Sequence, residues 1–292
     1  MKKTITAFDL CNLTLLSVLA FVCVYPMLNM LAQSLSSGFA VMAGRVFLLP
    51  VGLNLDAYRL ILVEEGLGVT RGLWNSIIYT FFGASLAVGA TYLSAYCLSR
   101  KRFIGRHVML ALIVFTMIFG SGLIPTYLVL NALGFVNNRL VMIVPAAISQ
   151  WLLIITKSFL DSLPDELEES AFMDGANDFR IMHNIYLPLS TPIVATIGVF
   201  YAVAIWNSYL TPLIYLRDLD LHPIQVVLHR LVIDTRGDAG HDLSTVIVDG
   251  SVVYPRNLQA AVVFVALFPI MMVYPFAQRY FTKGIMLGAI KG

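Results

Sequence analysis

The sequence contains few charged residues. Asp, Glu, Lys and Arg make up 12% of its 292 residues, whereas hydrophobic residues make up 59%. An average soluble domain has about 25% charged residues. A chain of this length with so little charge cannot cover its surface with water-soluble groups, so it uses lipid as the solvent for much of that surface. The net charge of +2 gives no support for nucleic-acid binding, and we expect no nucleic-acid partner.

The sequence also lacks the signatures of several enzyme and carrier classes. It contains no G-x-x-x-x-G-K-[ST] segment, so this chain cannot hold a nucleoside triphosphate in a P-loop. Its apolar segments have no Asp, Glu, Lys or Arg at their centres, where ion-coupled carriers commonly place such groups. It shows no nucleophile–base or metal-ligand pattern of an intramembrane hydrolase. We therefore predict that the chain is not an enzyme and has neither a metal nor a cofactor of its own.

Cysteine is scarce as well. Cys11, Cys23 and Cys97 are odd in number, match no metal-ligand spacing and all lie in apolar segments. We predict that each is a small buried hydrophobic side chain.

Long uncharged segments are what the sequence has in abundance. Such segments form helices in lipid, because only a helix satisfies its own backbone polar groups. The start Met1-Lys2-Lys3 resembles a signal peptide, but the apolar run is too long and has no cleavage site, so we expect an uncleaved anchor. The predicted fold is an all-α membrane protein, one domain over 1–292, with six transmembrane helices at about 10–33, 73–98, 108–131, 140–156, 190–214 and 257–278.

The basic residues predict the orientation. If six spans alternate, Lys2, Lys3, the cluster Arg100-Lys101-Arg102 and the C-terminal lysines fall on one side. The positive-inside rule makes that side cytoplasmic, so both termini are predicted to be in the cytoplasm. The connections 34–72 and 215–256 are then extracytoplasmic. The histidines and acidic residues of 215–256 fit no metal-ligand spacing, and its segment 222–233 is predicted to form an amphipathic helix at the outer surface.

Segment 158–189 is acidic although it is predicted to be cytoplasmic. It holds seven acidic residues against Arg180 alone. This charge indicates a basic partner, and the alternative is a solvated acidic linker. Its first helix is predicted to start at Ser162, in a capping box with Asp165, and to carry an apolar stripe of Leu163, Leu167 and Ala171.

A glycine separates this helix from a second one. Gly175 is predicted to end the first helix because glycine adopts positive φ readily. Asn177 or Asp178 can cap the second helix, which closes near Pro188. Two short amphipathic helices joined in this way form a rigid hairpin.

The hairpin carries a family resemblance. Glu169-Ser170-Ala171, then Asp174-Gly175-Ala176, and later Ile185-Tyr186-Leu187-Pro188 with Pro192 resemble the EAA loop of binding-protein-dependent ABC importer permeases. Ser170 stands where that family usually has Ala, and Met182 where Phe is common. Trp206-Asn207-Ser208 and the C-terminal segment resemble the carbohydrate-importing branch, and the similarity covers nearly the whole chain.

The resemblance implies a type I ABC importer permease in the cytoplasmic (inner) membrane. Its implied partners are a second, homologous permease, an ABC ATPase dimer that binds ATP and Mg, and an extracytoplasmic sugar-binding protein. The two outer connections would form the surface that receives the binding protein. The EAA loop, 158–189, would couple the permease to the ATPase. The implied coupling residues are Glu169, Ser170, Ala171, Asp174, Gly175, Ala176, Leu187 and Pro188.

Uncharged polar and aromatic residues in the fourth and fifth segments are candidates for contact with a sugar. Amides and hydroxyls are cheaper to bury than charges, and rings pack on the C–H faces of a pyranose. The alternative is that the amides join packed helices, which would place Asn207 and Gln150 away from lipid. The candidate path residues are Gln150, Trp151, Tyr201, Trp206, Asn207 and Tyr209.

The predicted function is import of oligosaccharides, acidic ones such as alginate fragments included, by alternating access. Two alternatives remain open: an ABC permease for a non-sugar solute, and a membrane scaffold that docks an ATPase for sensing.

The orientation is testable by cysteine labelling. A cysteine introduced next to Asp178 should react only with a membrane-permeant reagent, because that segment is predicted to face the cytoplasm. A cysteine next to Asp238 should react with an impermeant reagent added from outside. The reverse labelling pattern would contradict the orientation.

Overall fold

A computed structural model of the chain describes residues 6–63, 67–234, 246–248 and 251–288. Lys2, Lys3, Asp238 and Lys291, which enter the orientation argument, lie outside the described residues. The chain divides into two compact units. The first comprises Met1–Thr70 and Val227–Pro269, and the second comprises Arg71–Val226 and Ile270–Gly292.

The described part of the chain is helical except for one small β-hairpin. In chain order the helices are α1 (Ala7–Ser34), α2 (Gly38–Met42), α3 (Asp56–Val63), α4 (Val69–Ser99), α5 (Arg106–Ile118), α6 (Leu123–Ala132), α7 (Gln150–Asp161), α8 (Glu166–Met173), α9 (Asp178–Ile181), α10 (Leu187–Leu189), α11 (Thr191–Trp206), α12 (Leu210–Tyr215), α13 (Ile224–Asp234) and α14 (Pro255–Gly288). Short 3₁₀ turns span Arg139–Met142 and Leu219–Leu221, and a π-helix spans Met182–Tyr186.

The small β-hairpin was not predicted. Strands β1 (Val246–Val248) and β2 (Ser251–Val253) pair antiparallel, with Val246 opposite Val253. The sequence contains the signal for it: two β-branched runs flank the dipeptide Asp249-Gly250, which is a strong hairpin pattern. The prediction of an all-α membrane protein holds for the rest of the described chain.

Helix α1 is apolar on all sides and begins with a capping box. Thr6 Oγ1 accepts from the backbone N–H of Asp9 at 3.3 Å, and the Asp9 carboxylate accepts from the Thr6 N–H at 2.9 Å. All side chains from Ala7 to Val24 are exposed on this chain. Helix α1 therefore offers its surface to lipid or to another protein.

Polar side chains hold the first unit together after α1 ends. Asn257 Nδ2 donates to the carbonyls of Gln33 at 3.0 Å and Ser36 at 2.8 Å. A Cβ on Gly38 would lie 2.0 Å from the ring of Tyr254, so only glycine allows this ring to approach the α2 backbone.

In the second unit, side chains of α4 form hydrogen bonds with the backbone at the start of the 215–256 connection. Asn75 Nδ2 donates to the carbonyls of Asp220 and His222, and Ser76 Oγ accepts from the N–H of Ile224 at 2.9 Å. Ile224 is the first residue of α13, which confirms the helix predicted at 222–233.

The described residues do not confirm six spans. Three described helical segments are long and apolar enough to cross a bilayer: Ala7–Ser34, Val69–Ser99 and Pro255–Pro275. Two bent pairs also qualify if each is one crossing: α5 with α6, bent by 118°, and Asp178–Leu189 with α11, bent by 80°. The described chain thus contains three to five candidate spans.

The predicted fourth span, 140–156, is not one continuous helix. It consists of a 3₁₀ turn that ends at Met142, an irregular stretch, and the first half of α7. Pro145 lies in the irregular stretch, where it removes a backbone donor and prevents a helix from continuing through it.

The predicted third and fifth spans are also interrupted. The third breaks between Ile118 and Leu123, where Gly122 has φ 77°. The fifth ends its main helix at Trp206 and resumes at Leu210. These breaks are short relative to the apolar segments, so hydrophobicity alone gives no signal for them.

The burial predicted for the cysteines is wrong for the isolated chain. Cys11, Cys23 and Cys97 are all exposed. They lie on helical faces that carry apolar side chains outward, where lipid rather than protein is the available apolar environment.

Candidate functional site

The hairpin between α7 and α11 is rigidly built. After α8, Gly175 has φ 77° and its N–H donates to the Phe172 carbonyl at 2.9 Å, while the Ala176 N–H donates to the Ala171 carbonyl at 3.0 Å. These two bonds form a Schellman motif, which ends a helix with a glycine in the left-handed region. A Cβ at Gly175 would meet no atom within 4 Å, so the backbone angle and not space requires glycine here.

The second helix of the hairpin starts as predicted, but the first does not. Asn177 Oδ1 accepts from the Arg180 N–H at 2.9 Å and caps α9. The capping box predicted for Ser162 is wrong: Ser162 is the C-cap of α7, and its Oγ donates to the Phe159 carbonyl at 2.7 Å. Helix α8 begins only after Asp165, which makes no side-chain cap bond.

The buried face of the hairpin packs against the end of α4. Ala171, Ile181 and Tyr186 form one hydrophobic cluster with Tyr92 and Tyr96 of α4. In the predicted apolar stripe Ala171 is buried and Leu163 half-buried, whereas Leu167 is exposed. The helical hairpin therefore packs on α4, through a narrower apolar stripe than predicted.

The opposite face of α8 is exposed. Glu166, Glu169, Ser170 and Met173 recur at the spacing of one helix face, and all four are exposed. Met173 is 89% exposed. Among the implied coupling residues, Asp174, Gly175 and Pro188 are also exposed, and Ala176 and Leu187 are half-buried. The exposed face of α8 is thus acidic and ends at the apolar side chain of Met173.

Part of the predicted basic partner is the chain itself. Arg100 pairs with Glu168, Arg102 pairs with Asp178 and lies 3.3 Å from Glu168, and Lys101 Nζ lies 2.5 Å from the Asp165 carboxylate. These three carboxylates therefore pair within the chain and fix the hairpin to the loop after α4, while the side chains of Asp165 and Asp178 are still exposed.

These ion pairs have two consequences. The hydrogen bond from Lys101 lowers the pKa of Asp165 and raises the pKa of Lys101. Because the pairs are direct, the basic cluster and the hairpin lie on the same side of the bilayer, as predicted. Within the described residues, no ion pair involves Glu166, Glu169 or Asp174, so their charge is available to another protein.

A second candidate site is a cavity of about 450 Å³ between the start of α7 and the second half of α11. Of the predicted path residues, Gln150 and Tyr201 line it. Among the described residues that line this cavity, none is charged. The lining residues that the sequence did not indicate include Ser149, Phe200, Ser208 and Thr211, of which Ser149 and Ser208 lie within the helix breaks at 143–149 and 207–209.

Tyr201 organises the wall of the cavity. Its hydroxyl accepts from the Ser149 N–H at 2.8 Å and shares a hydrogen bond of 2.6 Å with Thr91 Oγ1. The side chain is 4% exposed. Tyr201 therefore joins α4, α7 and α11, which agrees with the alternative role of joining helices.

The other predicted path residues lie outside the cavity wall. Trp151 is 50% exposed and packs edge-on against Phe200, with ring centroids 5.9 Å apart. Trp206 is buried at 5% exposure. Asn207 is the exposed C-cap of α11, and Tyr209 is half-buried before α12. The structure brings two of the six residues together at one cavity.

Comparison with known proteins places this architecture in one family. Residues 13–286 match the family described as binding-protein-dependent transport system inner membrane component, and the chain belongs to that family. Its members are subunits of membrane transport systems, so the predicted class of protein is confirmed.

Individual relatives are transport permeases. The chain is 40% identical over 285 residues to the polygalacturonan/rhamnogalacturonan transport system permease protein YtcP of Bacillus subtilis (strain 168), covering 98% of both chains. It is 35% identical to protein LplC of the same organism, covering 98% of this chain and 95% of that protein.

A solved structure has the same fold. A chain in the crystal structure of a bacterial ABC transporter involved in the import of the acidic polysaccharide alginate superposes with a TM-score of 0.85 at 33% sequence identity, covering 96% of this chain and 99% of that chain. The ABC permease fold predicted from the sequence is confirmed by this similarity.

The scaffold role of Tyr201 is testable. Tyr201→Phe should lower the free energy of unfolding by about 1–3 kcal/mol, because the half-buried Ser149 N–H and the buried Thr91 hydroxyl both lose their partner. Thr91→Val should cost less, since it leaves the bond to Ser149 intact. Thermal unfolding in detergent measures both. If Tyr201→Phe leaves unfolding unchanged but reduces import, the hydroxyl contacts the solute instead.

Proposed function

We propose that this chain is one permease subunit of an ATP-driven importer that moves oligosaccharides derived from acidic polysaccharides across the cytoplasmic membrane. The observation that carries the proposal is the rigid hairpin with an exposed acidic face on a chain of this family. Relatives that transport polygalacturonan and alginate support the substrate class.

The proposed complex supplies what this chain lacks. A second, homologous permease completes the translocation path, and an ABC ATPase dimer binds ATP and Mg and hydrolyses the nucleotide. An extracytoplasmic binding protein delivers the oligosaccharide to the outer connections 34–72 and 215–256. We propose a multi-pass topology of six crossings with both termini in the cytoplasm, in which the broken segments 108–131 and 140–156 count as crossings.

The exposed face of α8 is the proposed contact with the ATPase. Glu169 supplies negative charge, and Met173 supplies an apolar side chain that no part of its own unit covers. Exposed charge next to an exposed large apolar residue is the composition of a protein interface. Gly175 and the cap at Asn177 keep this face rigid, so a movement of the ATPase displaces the hairpin as a unit.

The cavity suits the uncharged parts of an oligosaccharide. Gln150 and Ser208 can hydrogen-bond hydroxyl groups, and Phe200 offers an apolar ring to a pyranose face. Because none of the described residues that line this cavity is charged, the carboxylates of an acidic sugar would be paired with positive charge on the second permease or solvated by water. Transport of a non-sugar solute, or docking of an ATPase for sensing without transport, are the competing functions.

Reconstitution separates these functions. The complex in proteoliposomes, with its binding protein outside and ATP inside, should accumulate labelled unsaturated oligogalacturonate or oligoalginate. Hydrolysis without accumulation of any solute would favour a sensor. Accumulation of an unrelated solute alone would favour a non-sugar permease. A complex that lacks the ATPase is the control for passive leakage.

The docking surface makes a second prediction. Gly175→Val should abolish co-purification of the ATPase, because a β-branched residue tolerates positive φ poorly. Met173→Ser and Glu169→Gln should each weaken co-purification about fivefold to thirtyfold, as expected for loss of about 1–2 kcal/mol at an interface.

Asp165→Asn is the matched control for this surface. It also removes one acidic charge from the hairpin, but that charge already pairs with Lys101. Its effect on co-purification should be small, since exposed ion pairs contribute little. The contrary result is wild-type co-purification of the ATPase with each of three single variants, Gly175→Val, Met173→Ser and Glu169→Gln. That result would show that α8 does not contact the ATPase.

A further inference from the structure

Arg100 is a buried cation at the end of α4. Its side chain is 7% exposed. Its Nε and Nη2 atoms donate to Ser99 Oγ at 3.0 and 2.9 Å, and Nη1 pairs with Glu168 of α8. The guanidinium carbon lies 4.9 Å from the ring centroid of Tyr96 and 4.2 Å from that of Tyr186. One side chain thus contacts the membrane helix and two parts of the hairpin.

Burial makes the pair with Glu168 different from its neighbours. The Glu168 side chain is 16% exposed, whereas Lys101 and Asp165 in the adjacent pair are 79% and 58% exposed. Removing Arg100 leaves the largely buried Glu168 with only Arg102, which is 47% exposed and lies 3.3 Å away, and this loss is costlier than breaking an exposed pair. The position of α8 relative to α4 therefore depends on Arg100 much more than on Lys101.

The ring of Tyr186 extends this connection along the chain. Tyr186 is fully buried and is the last residue of the π-helix that leads through α10 into α11. The second half of α11 supplies Phe200 and Tyr201 to the cavity wall. Short π-helical turns within helices frequently lie at functional sites. A displacement of α8 can reach the cavity through this path without leaving the second unit.

We propose that Arg100 is a positioning residue that transmits movement of the ATPase-docking hairpin to α4 and α11, and so to the cavity. The inference rests on the proposed function, because it takes the hairpin as the element that the ATPase moves. Arg100 acts through Glu168 and Tyr186 and is not itself part of the exposed docking face.

The test compares ATPase binding with stimulation of hydrolysis by the binding protein. Arg100→Gln should keep ATPase co-purification within about twofold of wild type, because the exposed face of α8 is unchanged. It should reduce the stimulation ratio and the solute imported per ATP by about tenfold or more, since a buried pair is broken. Lys101→Gln, on the adjacent residue, is the matched control and should leave both quantities near wild type.

Two further variants test the mechanism. Arg100→Lys keeps the charge but loses the planar contact with the rings and the paired hydrogen bonds to Ser99. It should therefore retain more coupling than Arg100→Gln and less than wild type. The double variant Arg100→Gln with Glu168→Gln should be only slightly worse than Arg100→Gln alone, because both changes remove the Arg100–Glu168 pair and Glu168→Gln removes in addition only the 3.3 Å contact with Arg102.

Contrary results are distinct from failure of the proposed function. Equal coupling in Arg100→Gln and Lys101→Gln, or additive losses in the double variant, would overturn the role of Arg100. So would loss of ATPase binding together with a lower melting temperature, since that outcome is purely structural. A wild-type complex that imports no oligosaccharide would refute the proposed substrate, whereas the stimulation ratio would still report on Arg100.

Discussion

A charge buried at the end of a membrane helix has to be neutralised by a group beside it, and this constraint governs the second unit of the chain. Arg100 is held against two tyrosine rings and paired with Glu168, so separating α8 from α4 would break a largely buried ion pair. The packing of Ala171 and Ile181 on Tyr92 and Tyr96 joins the same two helical segments.

The features of the hairpin that the sequence predicted are local ones. Gly175 and Asn177 are recognisable because a positive φ and a helix cap depend on neighbouring residues only. Ser162 misled for the same reason, since its spacing to Asp165 fits a cap although α7 continues to Asp161. The partner of Glu168 was beyond prediction, because Arg100 is 68 positions away along the chain.

The cavity illustrates a second limit of sequence reasoning. Uncharged length predicts that a segment enters the membrane, but it gives no position for an interruption inside that segment. Pro145 and Gly122 lie at two of the breaks. Proline and glycine also occur in continuous membrane helices, however, so their presence alone does not predict a break. The breaks place Ser149 and Ser208 at the cavity, so the polar lining comes from irregular backbone as well as from the predicted Gln150 and Tyr201.

The exposure of Met173 has a chemical consequence. A thioether that is 89% accessible on an unassembled subunit is open to oxidation by peroxides. The sulfoxide is polar and larger, so it would replace the apolar side chain of the α8 face with a group that favours water. A subunit held without its ATPase under oxidising conditions would assemble more weakly, and methionine sulfoxide reductase would restore its affinity.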